Sequence, residues 1–350
     1  MKSASIDLLI VGQGLAGSAL AMRALMRGLR VLVIDDPSAN RSSSVAAGLF
    51  NPITGRKMSK TWMADSLFPV LHDYYRSIEA LTGSRFFHPT TMYRPFLNIE
   101  EQNEWMGASA EPAYGNYVGA IHTSPAYGSA VNDPYGGIVL SRAGYLDTRG
   151  YLNAVASFLL KQSAYVKRWF DAGDLVLSAD QVRYHDWKAR KVVFCQGVHN
   201  ASNPWFGDLP INPLKGEFIS VQCDWPVDVI LNRGVYMVPG GEATWRVGAT
   251  YNRHDLSPET TEQARAELTD KLDNLIRLPY EVQGQQWGLR PTTPDRKPIL
   301  GAHPQHPSLI VFNGLGTKGV SMAPYFSEVL IRWLENEGQI TKEADISRFK

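Results

Sequence analysis

The chain has 350 residues, of which 44% are hydrophobic and 20% are charged. Its 35 lysines and arginines balance 34 aspartates and glutamates, leaving a formal net charge of +1. This balance, without any basic run, argues against a nucleic-acid-binding protein. The two cysteines, Cys195 and Cys223, are too few for a disulfide framework and have no zinc-like spacing, as expected for a cytoplasmic protein without a metal site.

The length exceeds what one hydrophobic core usually serves, so two domains are expected. At the N-terminus, Lys2 precedes an apolar stretch that resembles a secretory signal. Asp7 interrupts that stretch, and its glycines fall where a phosphate-binding loop requires them. No later segment approaches the ~20 continuous apolar residues of a membrane span, so no membrane partner is expected.

The first segment predicts a strand, a glycine loop, a helix and a second strand. Residues 6–11, IDLLIV, have the composition of a strand buried on both faces. Residues 15–27 follow a helical pattern, and Gly28 is a plausible helix stop. RVLVID then forms a second strand that ends in Asp35.

Within this unit, IVGQGLAG gives the spacing G-x-G-x-x-G. Gly12 permits the tight turn, Gly14 allows close approach of a pyrophosphate, and Gly17 allows helix and strand to pack closely. The helix N-terminus offers N–H groups to phosphates, and Asp35 can accept hydrogen bonds from ribose hydroxyls. The pattern predicts dinucleotide binding, with an ordinary glycine-rich turn as the alternative.

The same spacing recurs near the end of the chain as GLGTKG, residues 314–319. The strand LIVFN precedes it, and a helix from about Ser321 to Asn336 is predicted to follow. The remaining residues are polar and too few to supply another buried strand ending in an acid, so no second complete nucleotide-binding unit is expected. Oriented N–H groups at a helix N-terminus suggest that this loop stabilises negative charge on a bound group. A purely structural turn is the alternative.

Three further stretches carry a family resemblance: RSSSVAAGLFNP (41–52), VVFCQG (192–197) and WGLRPTTPDRKPILG (287–301). Together with the two glycine loops, they resemble the D-amino-acid oxidase, glycine oxidase and sarcosine oxidase family of flavoenzymes. The resemblance implies an α/β fold, with a Rossmann-type (glutathione-reductase-like) FAD domain and a second, antiparallel-sheet substrate domain. It favours FAD over NAD. The FAD is expected to be noncovalent, because no cysteine lies near the G-L-R-P segment.

The resemblance also implies which residues contact FAD. The second loop would lie against the edge of the flavin ring that becomes negative on reduction, and the backbone of Val166 would bind adenine. The expected cofactor-binding residues are Gly12, Gly14, Leu15, Ala16, Gly17, Asp35, Asp36, Ser43, Ser44, Gly48, Leu49, Phe50, Val166, Gly197, Gly314, Leu315, Gly316, Thr317, Lys318 and Gly319.

Residues 214–251 alternate as antiparallel strands do, with turn residues between them. By the resemblance, segments 81–139 and 213–284 would form a substrate-binding cap. The FAD domain would then be discontinuous and comprise residues 1–80, 140–212 and 285–350.

On the substrate side, the resemblance assigns Arg290 of G-L-R-P to the substrate carboxylate, which its planar guanidinium can bind in a bidentate manner. A structural ion pair is the alternative for this arginine. Tyr236 and Tyr251 match pocket positions, with simple packing as the alternative. Lys318 departs from the glycine oxidase pattern, and it is expected either to assist catalysis or to point into solvent. The stretch NPITGRK after Gly48 is also unlike plain amino-acid oxidases, which leaves the substrate open.

The predicted activity is FAD-dependent oxidation of a carbon–nitrogen bond in a small amine or amino acid, of the glycine, D-amino-acid or N-methyl-amino-acid type. Hydride passes to flavin N5, and the imine product hydrolyses. The electron acceptor, oxygen or another, and the oligomeric state stay open. His72, His88, His199 and His254 show no triad-like or metal-like spacing and are expected to be structural or solvent-facing.

Two alternatives remain. GLGTKG and AGLFNP also resemble the flavin domain of the bifunctional enzyme that trims carboxymethylaminomethyl uridine in tRNA. The near-zero net charge and the absence of a methyltransferase half weigh against that function. The other alternative is a non-catalytic flavin-binding subunit, like the interaction subunits of heterotetrameric sarcosine oxidases.

Overall fold

The structure, a computed structural model, describes residues 5–36, 42–54, 58–178, 181–226, 228–241 and 243–349. The strands are β1 (Ile6–Val11), β2 (Val31–Asp35), β3 (Leu49–Phe50), β4 (Ile53–Thr54), β5 (Ser59–Lys60), β6 (Phe87–Pro95), β7 (Val118–His122), β8 (Gly137–Leu146), β9 (Tyr165–Lys167), β10 (Leu175–Leu177), β11 (Val182–Tyr184), β12 (Trp187–Phe194), β13 (Asn212–Gln222), β14 (Val229–Arg233), β15 (Val235–Gly241), β16 (Thr244–Gly248), β17 (Glu281–Thr292), β18 (Ile299–Ala302) and β19 (Leu309–Asn313). The α-helices are α1 (Leu15–Met26), α2 (Ser42–Val45), α3 (Ala64–Thr82), α4 (Ile99–Ala108), α5 (Thr148–Lys161), α6 (Glu262–Asp273) and α7 (Gly319–Leu334). Short 3-10 helices lie at Ala172–Asp174, Gly197–Ser202 and Ile346–Phe349.

The first sheet is built around parallel strands, in the order β10-β11-β12-β1-β2-β9, with β19 parallel to β12 and β18 beside β19. Alternate residues of β1 enter two different cores. Leu8 and Ile10 pack in the large core that includes α1 and α7, whereas Leu9 and Val11 pack in the core on the opposite face. A strand buried on both faces requires the apolar sequence that β1 has.

The two strand–loop–helix units appear at their predicted places. α1 ends at Met26, and Gly28 follows with a left-handed φ of +78°, as the glycine stop predicted. α7 begins at Gly319 and ends at Leu334, which shifts the predicted helix of about 321–336 by two residues. Because α1 and α7 pack against each other, the two glycine loops at their N-termini lie side by side.

The second sheet has the order β17-β13-β16-β15-β14-β6-β8-β3, with β7 paired to β8. It is antiparallel except where β14 runs parallel to β6. One face carries an apolar core that includes residues of α6, such as Leu268 and Leu272. The predicted α/β class with a second, antiparallel sheet is therefore confirmed.

The predicted domain boundaries remain a prediction. β8 crosses the boundary placed between residues 139 and 140, and β17 crosses the one between 284 and 285, so the sheet continues past both points. Among the described residues, no helix has the length and apolar character that crossing a membrane would require.

Candidate active site

A cavity of about 1900 Å³ is lined by residues from both sheets. Its residues come from the ends of β1, β2 and β12, from both glycine loops, from the segment around β4 and β5, from the second sheet, and from the end of α6. In open sheets of parallel strands, ligands bind beyond the carboxyl ends of the strands, so a ligand site is expected at this end of the first sheet.

The first glycine loop borders the cavity with almost no room for side chains. Gly12 has a φ of +98°, and a Cβ there would lie 2.6 Å from the carbonyl oxygen of Cys195. A Cβ on Gly17 would lie 1.8 Å from the carbonyl oxygen of Gly12, so this glycine sets the approach of α1 to the loop. Gly14 is the N-cap of α1 and has no side-chain cap. The first N–H groups of α1 are therefore available to a ligand, apart from that of Leu15, which donates to Ser43 Oγ at 3.2 Å.

Asp35 is buried at the end of β2 and lines the cavity beside Asp36. Its Oδ1 accepts the Gln13 N–H at 2.9 Å, and its Oδ2 accepts the hydroxyl of Tyr165 at 3.3 Å. The carboxylate therefore ties the glycine loop to β2 and β9 in addition to facing the cavity.

Most of the predicted cofactor residues line the cavity, but four do not. Gly17, Ser44, Val166 and Gly314 lie outside the lining. Those that line it are Gly12, Gly14, Leu15, Ala16, Asp35, Asp36, Ser43, Gly48, Leu49, Phe50, Gly197, Leu315, Gly316, Thr317, Lys318 and Gly319. Arg41 of RSSSVAAGLFNP and residues 55–57 of NPITGRK lie outside the described residues.

The second glycine loop uses some of its N–H groups within the protein. The Gly316 N–H donates to the Pro291 carbonyl at 2.9 Å, and the Gly314 N–H donates to Asn313 Oδ1 at 2.8 Å. The N–H groups of Leu315 and Thr317 have no acceptor among the described residues. Both residues line the cavity, so these donors are available to a bound group.

Lys318 follows in the same loop and is half-buried. Its Nζ donates to Thr54 Oγ1 at 3.1 Å and to Thr61 Oγ1 at 3.0 Å. Burial lowers the pKa of this ammonium to about 8, and among the described residues it forms no ion pair. The predicted alternative of a solvent-facing Lys318 does not describe this arrangement.

Arg290 projects into the cavity from β17. Its Nη1 donates to the Thr250 carbonyl at 3.2 Å, and its guanidinium carbon lies 4.8 Å from the centroid of the Tyr251 ring. In the described part of the chain no carboxylate forms an ion pair with it. The structural ion pair that could have explained this arginine is thus absent from those residues.

The two predicted tyrosines differ in environment. Tyr236 lies on β15, and burial raises the pKa of its hydroxyl to about 12 although the nearby Arg290 charge lowers it. Tyr251 is 68% exposed, so its ring lies at the mouth of the cavity. Both residues line the cavity with Arg290.

Two arginines that the sequence did not point to, Arg94 and Arg233, also line the cavity and share one carboxylate. Arg233 on β14 forms two hydrogen bonds with Glu101 on α4, at 3.0 and 2.5 Å, and Arg94 on β6 lies 4.0 Å from the same carboxylate. The three residues come from separate elements, and no local motif joins them.

The four histidines and both cysteines occupy ordinary environments. His72 packs edge-on against Phe50, and burial lowers its pKa. His199 and His254 line the cavity, and both cysteines are buried and unpaired with one another. Among the described residues no group of three or more His, Cys, Asp or Glu side chains is arranged to hold a metal.

Comparison with known proteins gives a family match for the chain that carries this site. The family model described as FAD dependent oxidoreductase (DAO) matches residues 7–333. The bifunctional protein ThiO/ThiG of Nostoc sp. is 26% identical over 91% of this chain and 51% of its own length. The tRNA 5-methylaminomethyl-2-thiouridine biosynthesis bifunctional protein MnmC of Idiomarina loihiensis is 24% identical over 98% of this chain and 59% of its own length. The chain thus spans about half the length of these relatives.

The crystal structure of glycine oxidase from Geobacillus kaustophilus shares the fold. It superimposes with a TM-score of 0.78 at 20% identity, covering 98% of this chain and 97% of that one. The expected Rossmann-type dinucleotide-binding domain with a second, antiparallel sheet therefore agrees with a solved structure.

Proposed function

This chain belongs to the FAD-dependent oxidoreductase (DAO) family, and from that premise we propose that it oxidises a carbon–nitrogen bond of a small amine or amino acid. The observation that carries the proposal is Arg290, whose guanidinium lies in the cavity of both glycine loops without a carboxylate partner among the described residues. A half-buried guanidinium stabilises a bound carboxylate strongly because the interaction is charged and bidentate.

The residues present fit FAD. A Cβ at Gly12 or Gly17 would collide with the backbone, and the N-terminus of α1 presents donors suited to a pyrophosphate. Asp35 and Asp36 line the cavity beyond β2, where ribose hydroxyls would find carboxylate acceptors. Leu315 and Thr317 would offer N–H groups to the flavin ring. Along the sequence no cysteine lies in or beside G-L-R-P, which supports a noncovalent cofactor.

Bound FAD supplies an acceptor for the hydride that leaves the substrate carbon. The protein's part is to hold the substrate. Arg290 would fix its carboxylate, and the Thr250 carbonyl and the Tyr251 ring hold Arg290. Such a fixed clamp converts binding energy into orientation of the reacting carbon.

No side chain needs to act as a base if the amine binds neutral, because its lone pair then assists departure of the hydride. Tyr236 keeps its proton at neutral pH, since its pKa is about 12, and its hydroxyl would therefore be able to donate a hydrogen bond to the substrate. Lys318 would place a positive charge or a proton donor beside the second loop, where a reduced flavin carries negative charge.

A second candidate substrate is a modified tRNA nucleoside. The similarity to the MnmC relative favours it. The charge of the cavity also favours it, because ten lysines and arginines but three aspartates line the cavity. A free amine would be a poor substrate in that case. A flavin-binding subunit without turnover is the third possibility, and it predicts that no amine reduces the flavin.

The test is an anaerobic titration of the purified holoprotein with glycine, sarcosine, D-amino acids and D-proline, followed by flavin absorbance. We expect one class to bleach the flavin, and Arg290→Ala to abolish the response while retaining FAD. Arg253→Ala, which removes another cation that lines the cavity, is the matched control and should respond normally. A flavin that no amine reduces would contradict the proposal. If carboxymethylaminomethyl uridine, added in a separate titration, is the one compound that bleaches the flavin, the tRNA function is favoured.

A further inference from the structure

The side chain of Lys318 reaches from the second glycine loop to two threonines near β4 and β5. Its Nζ lies 3.1 Å from Thr54 Oγ1 and 3.0 Å from Thr61 Oγ1, and all three residues line the cavity. A lysine nitrogen has three positions besides its bond to carbon. The threonines occupy two of them, so the third is left to a group bound in the cavity.

The two threonines fit a neutral amine better than an ammonium. Thr61 donates its own hydroxyl hydrogen to the Asn51 carbonyl at 3.3 Å, so its oxygen accepts from Lys318. A neutral amine has two hydrogens and one lone pair. Both hydrogens then find a threonine oxygen, and the lone pair takes the third position. An ammonium has a third hydrogen, for which the described residues supply no acceptor.

The charged groups on the segments around Lys318 are paired with other residues. Lys60 on β5 pairs with Asp65 at 2.6 Å, and Lys297 lies over the ring of Trp62. In the part of the chain that the structure describes, no carboxylate forms an ion pair with Lys318. A half-buried ammonium without an anion is destabilised relative to the neutral amine.

The helices around Lys318 do not favour its charge either. Lys318 is the N-cap of α7, whose first turn has no acidic residue, and a helix N-terminus favours anions over cations. α1 approaches this end of α7 through the apolar Leu15. On α3, Tyr75 donates to the Val320 carbonyl at 2.9 Å, and burial raises its pKa, so it stays uncharged. Burial accordingly lowers the pKa of Lys318 to about 8.

The loop that carries Lys318 is anchored next to the carboxylate clamp. The Gly316 N–H donates to the carbonyl of Pro291, which follows Arg290 on β17. In an α-amino acid whose carboxylate Arg290 holds, the nitrogen is bonded to the adjacent carbon. This nitrogen is an ammonium in neutral solution, whereas departure of the hydride needs its lone pair. A proton acceptor in the cavity allows the abundant ammonium form to react.

We propose that Lys318, in its neutral form, accepts a proton from the ammonium group of the bound substrate. This inference rests on the proposed function. One N–H bond of the substrate breaks, and its electron pair stays on the substrate nitrogen. The proton forms the third N–H bond of Nζ, at the position that the threonines leave open. The freed lone pair then assists departure of the hydride, and the charge gained by Lys318 lies beside the second loop, where reduction delivers negative charge.

Proton release on ligand binding tests this transfer without turnover. The probe is 2-aminoisobutyrate, which has no hydrogen on its α-carbon and cannot be oxidised there. At pH 7 its nitrogen and that of Lys318 are both largely protonated when apart. Facing each other they hold one proton, because adjacent ammonium groups repel. Calorimetric titration of the holoprotein in buffers of different ionisation enthalpy should show about one proton released per ligand at pH 7 and few at about pH 9.

The controls separate Lys318 from the rest of the cavity. Pivalate has a methyl group in place of the amine and should release no proton. Lys318→Met should abolish the release by 2-aminoisobutyrate, and so should Lys318→Arg, which stays charged. Lys271→Met is the matched control, because Lys271 lines the cavity but pairs with Glu267, and it should behave as the wild type.

Two results would overturn the proposal: a wild type that releases no proton at pH 7, and a release that survives in both Lys318 variants. If Lys318→Met fails to fold, the wild-type proton count and Lys318→Arg decide. If the cavity excludes 2-aminoisobutyrate, the pH dependence of reduction decides.

That pH dependence also separates this inference from the proposed function. The limiting rate of anaerobic flavin reduction should rise about tenfold per pH unit below about pH 8 and level off above it. In Lys318→Met the rise should follow the ammonium group of the substrate instead and shift to higher pH. Identical profiles in the two proteins would overturn the role of Lys318 while preserving the amine oxidation. A flavin that no amine reduces, combined with proton release that requires Lys318, would contradict only the oxidation.

Discussion

The guanidinium of Arg290 lies directly over the backbone of Gly216, so closely that a Cβ there would come within 2.1 Å of Nη2 and 2.2 Å of Cζ. Gly216 belongs to β13, the neighbour of β17 in the second sheet. Because Gly216 has no side chain, the guanidinium of Arg290 can lie over its backbone and face the cavity.

We predict that Gly216→Ala displaces Arg290 without changing any residue that touches the substrate. The colliding atoms belong to the end of a flexible side chain, so the protein should fold and retain FAD. The Kd for carboxylate ligands should rise about 10- to 100-fold, because a charged hydrogen bond contributes about 1.5–3 kcal/mol. Absorbance titration of the holoprotein measures this Kd.

The control is Gly284→Ala on β17, where an added Cβ meets nothing within 4 Å. It should leave the Kd unchanged. Unaltered carboxylate binding in Gly216→Ala would show that Arg290 is not the clamp.

A second prediction compares two glycines inside helices. A Cβ on Gly17 of α1 would overlap the Gly12 carbonyl at 1.8 Å, whereas a Cβ on Gly107 of α4 meets nothing within 4 Å. Gly17→Ala should lower the free energy of unfolding by about 1–3 kcal/mol through overpacking and weaken FAD binding. Gly107→Ala should raise it by about 0.5–1 kcal/mol, as alanine does in a helix.

Urea unfolding of both variants, with FAD retention measured by absorbance, checks this pair. Normal FAD retention and unchanged stability in Gly17→Ala would contradict the view that this glycine positions the phosphate-binding turn.

The first glycine unit could be predicted from sequence because each of its signals is local. The apolar run of β1, the glycine spacing and the stop at Gly28 all lie within 23 residues of Ile6, and the predicted ends of α1 differ from the observed ones by a single residue. Strand and helix propensities, the turn glycines and the pattern of burial all favour the same structure there, so tertiary packing does not change it.

The charged clusters could not be predicted in this way. Arg94 and Arg233 meet Glu101 only because β14 pairs with β6, a parallel contact between strands separated by more than a hundred residues. Lys318 donates hydrogen bonds to Thr54 and Thr61, which are 264 and 257 residues away in the sequence. Side-chain pairing of this kind depends on the register of the sheet and on the packing of loops. The periodicity of a single sequence indicates neither the register nor the loop packing.

A third prediction concerns the protonation of Lys318. Its folded pKa is about 8, below the ordinary lysine value of 10.5. Between these pH values the unfolded chain holds a proton that the folded chain has released, so the free energy of unfolding rises with pH across the window. The contribution is at most about 3 kcal/mol, since one pKa unit is worth about 1.36 kcal/mol.

Lys318→Met removes this titration, so the apoprotein variant should lose stability relative to wild type as the pH rises from about 8 to about 10.5. Lys318→Arg stays charged throughout and should likewise lack the rise. If the free energy of unfolding changes with pH in the same way in the wild type and in Lys318→Met, the lowered pKa of Lys318 is contradicted.

The last prediction concerns Lys215, a fully buried ammonium on β13. Its Nζ donates to Asp255 Oδ2 at 2.7 Å and to Ser257 Oγ at 3.1 Å, with Glu217 at 3.8 Å. Its backbone also pairs with Asn252. These contacts hold the segment after Tyr251 against the sheet, and Tyr251 in turn stacks on Arg290.

Lys215→Met should lower the melting temperature at pH 7 by several degrees, because removal of one partner leaves the buried Glu217 and the partly exposed Asp255 without their cation. It should also raise the Kd for carboxylate ligands by loosening Tyr251. Hydrogen bonds from Lys215 and Ser257 hold the pKa of Asp255 well below its usual value. The stabilisation is therefore present above about pH 4, and the difference between the two proteins should shrink as the pH falls below that value.

Arg30→Met is the matched control, because Arg30 pairs with Asp7 at the surface with 57% of its side chain exposed. Exposed pairs contribute little, so its melting temperature should stay close to that of the wild type. A melting temperature for Lys215→Met equal to that of Arg30→Met would show that the buried cation is dispensable. A lowered melting temperature with unchanged carboxylate binding would show instead that the cluster stabilises the sheet without positioning Tyr251.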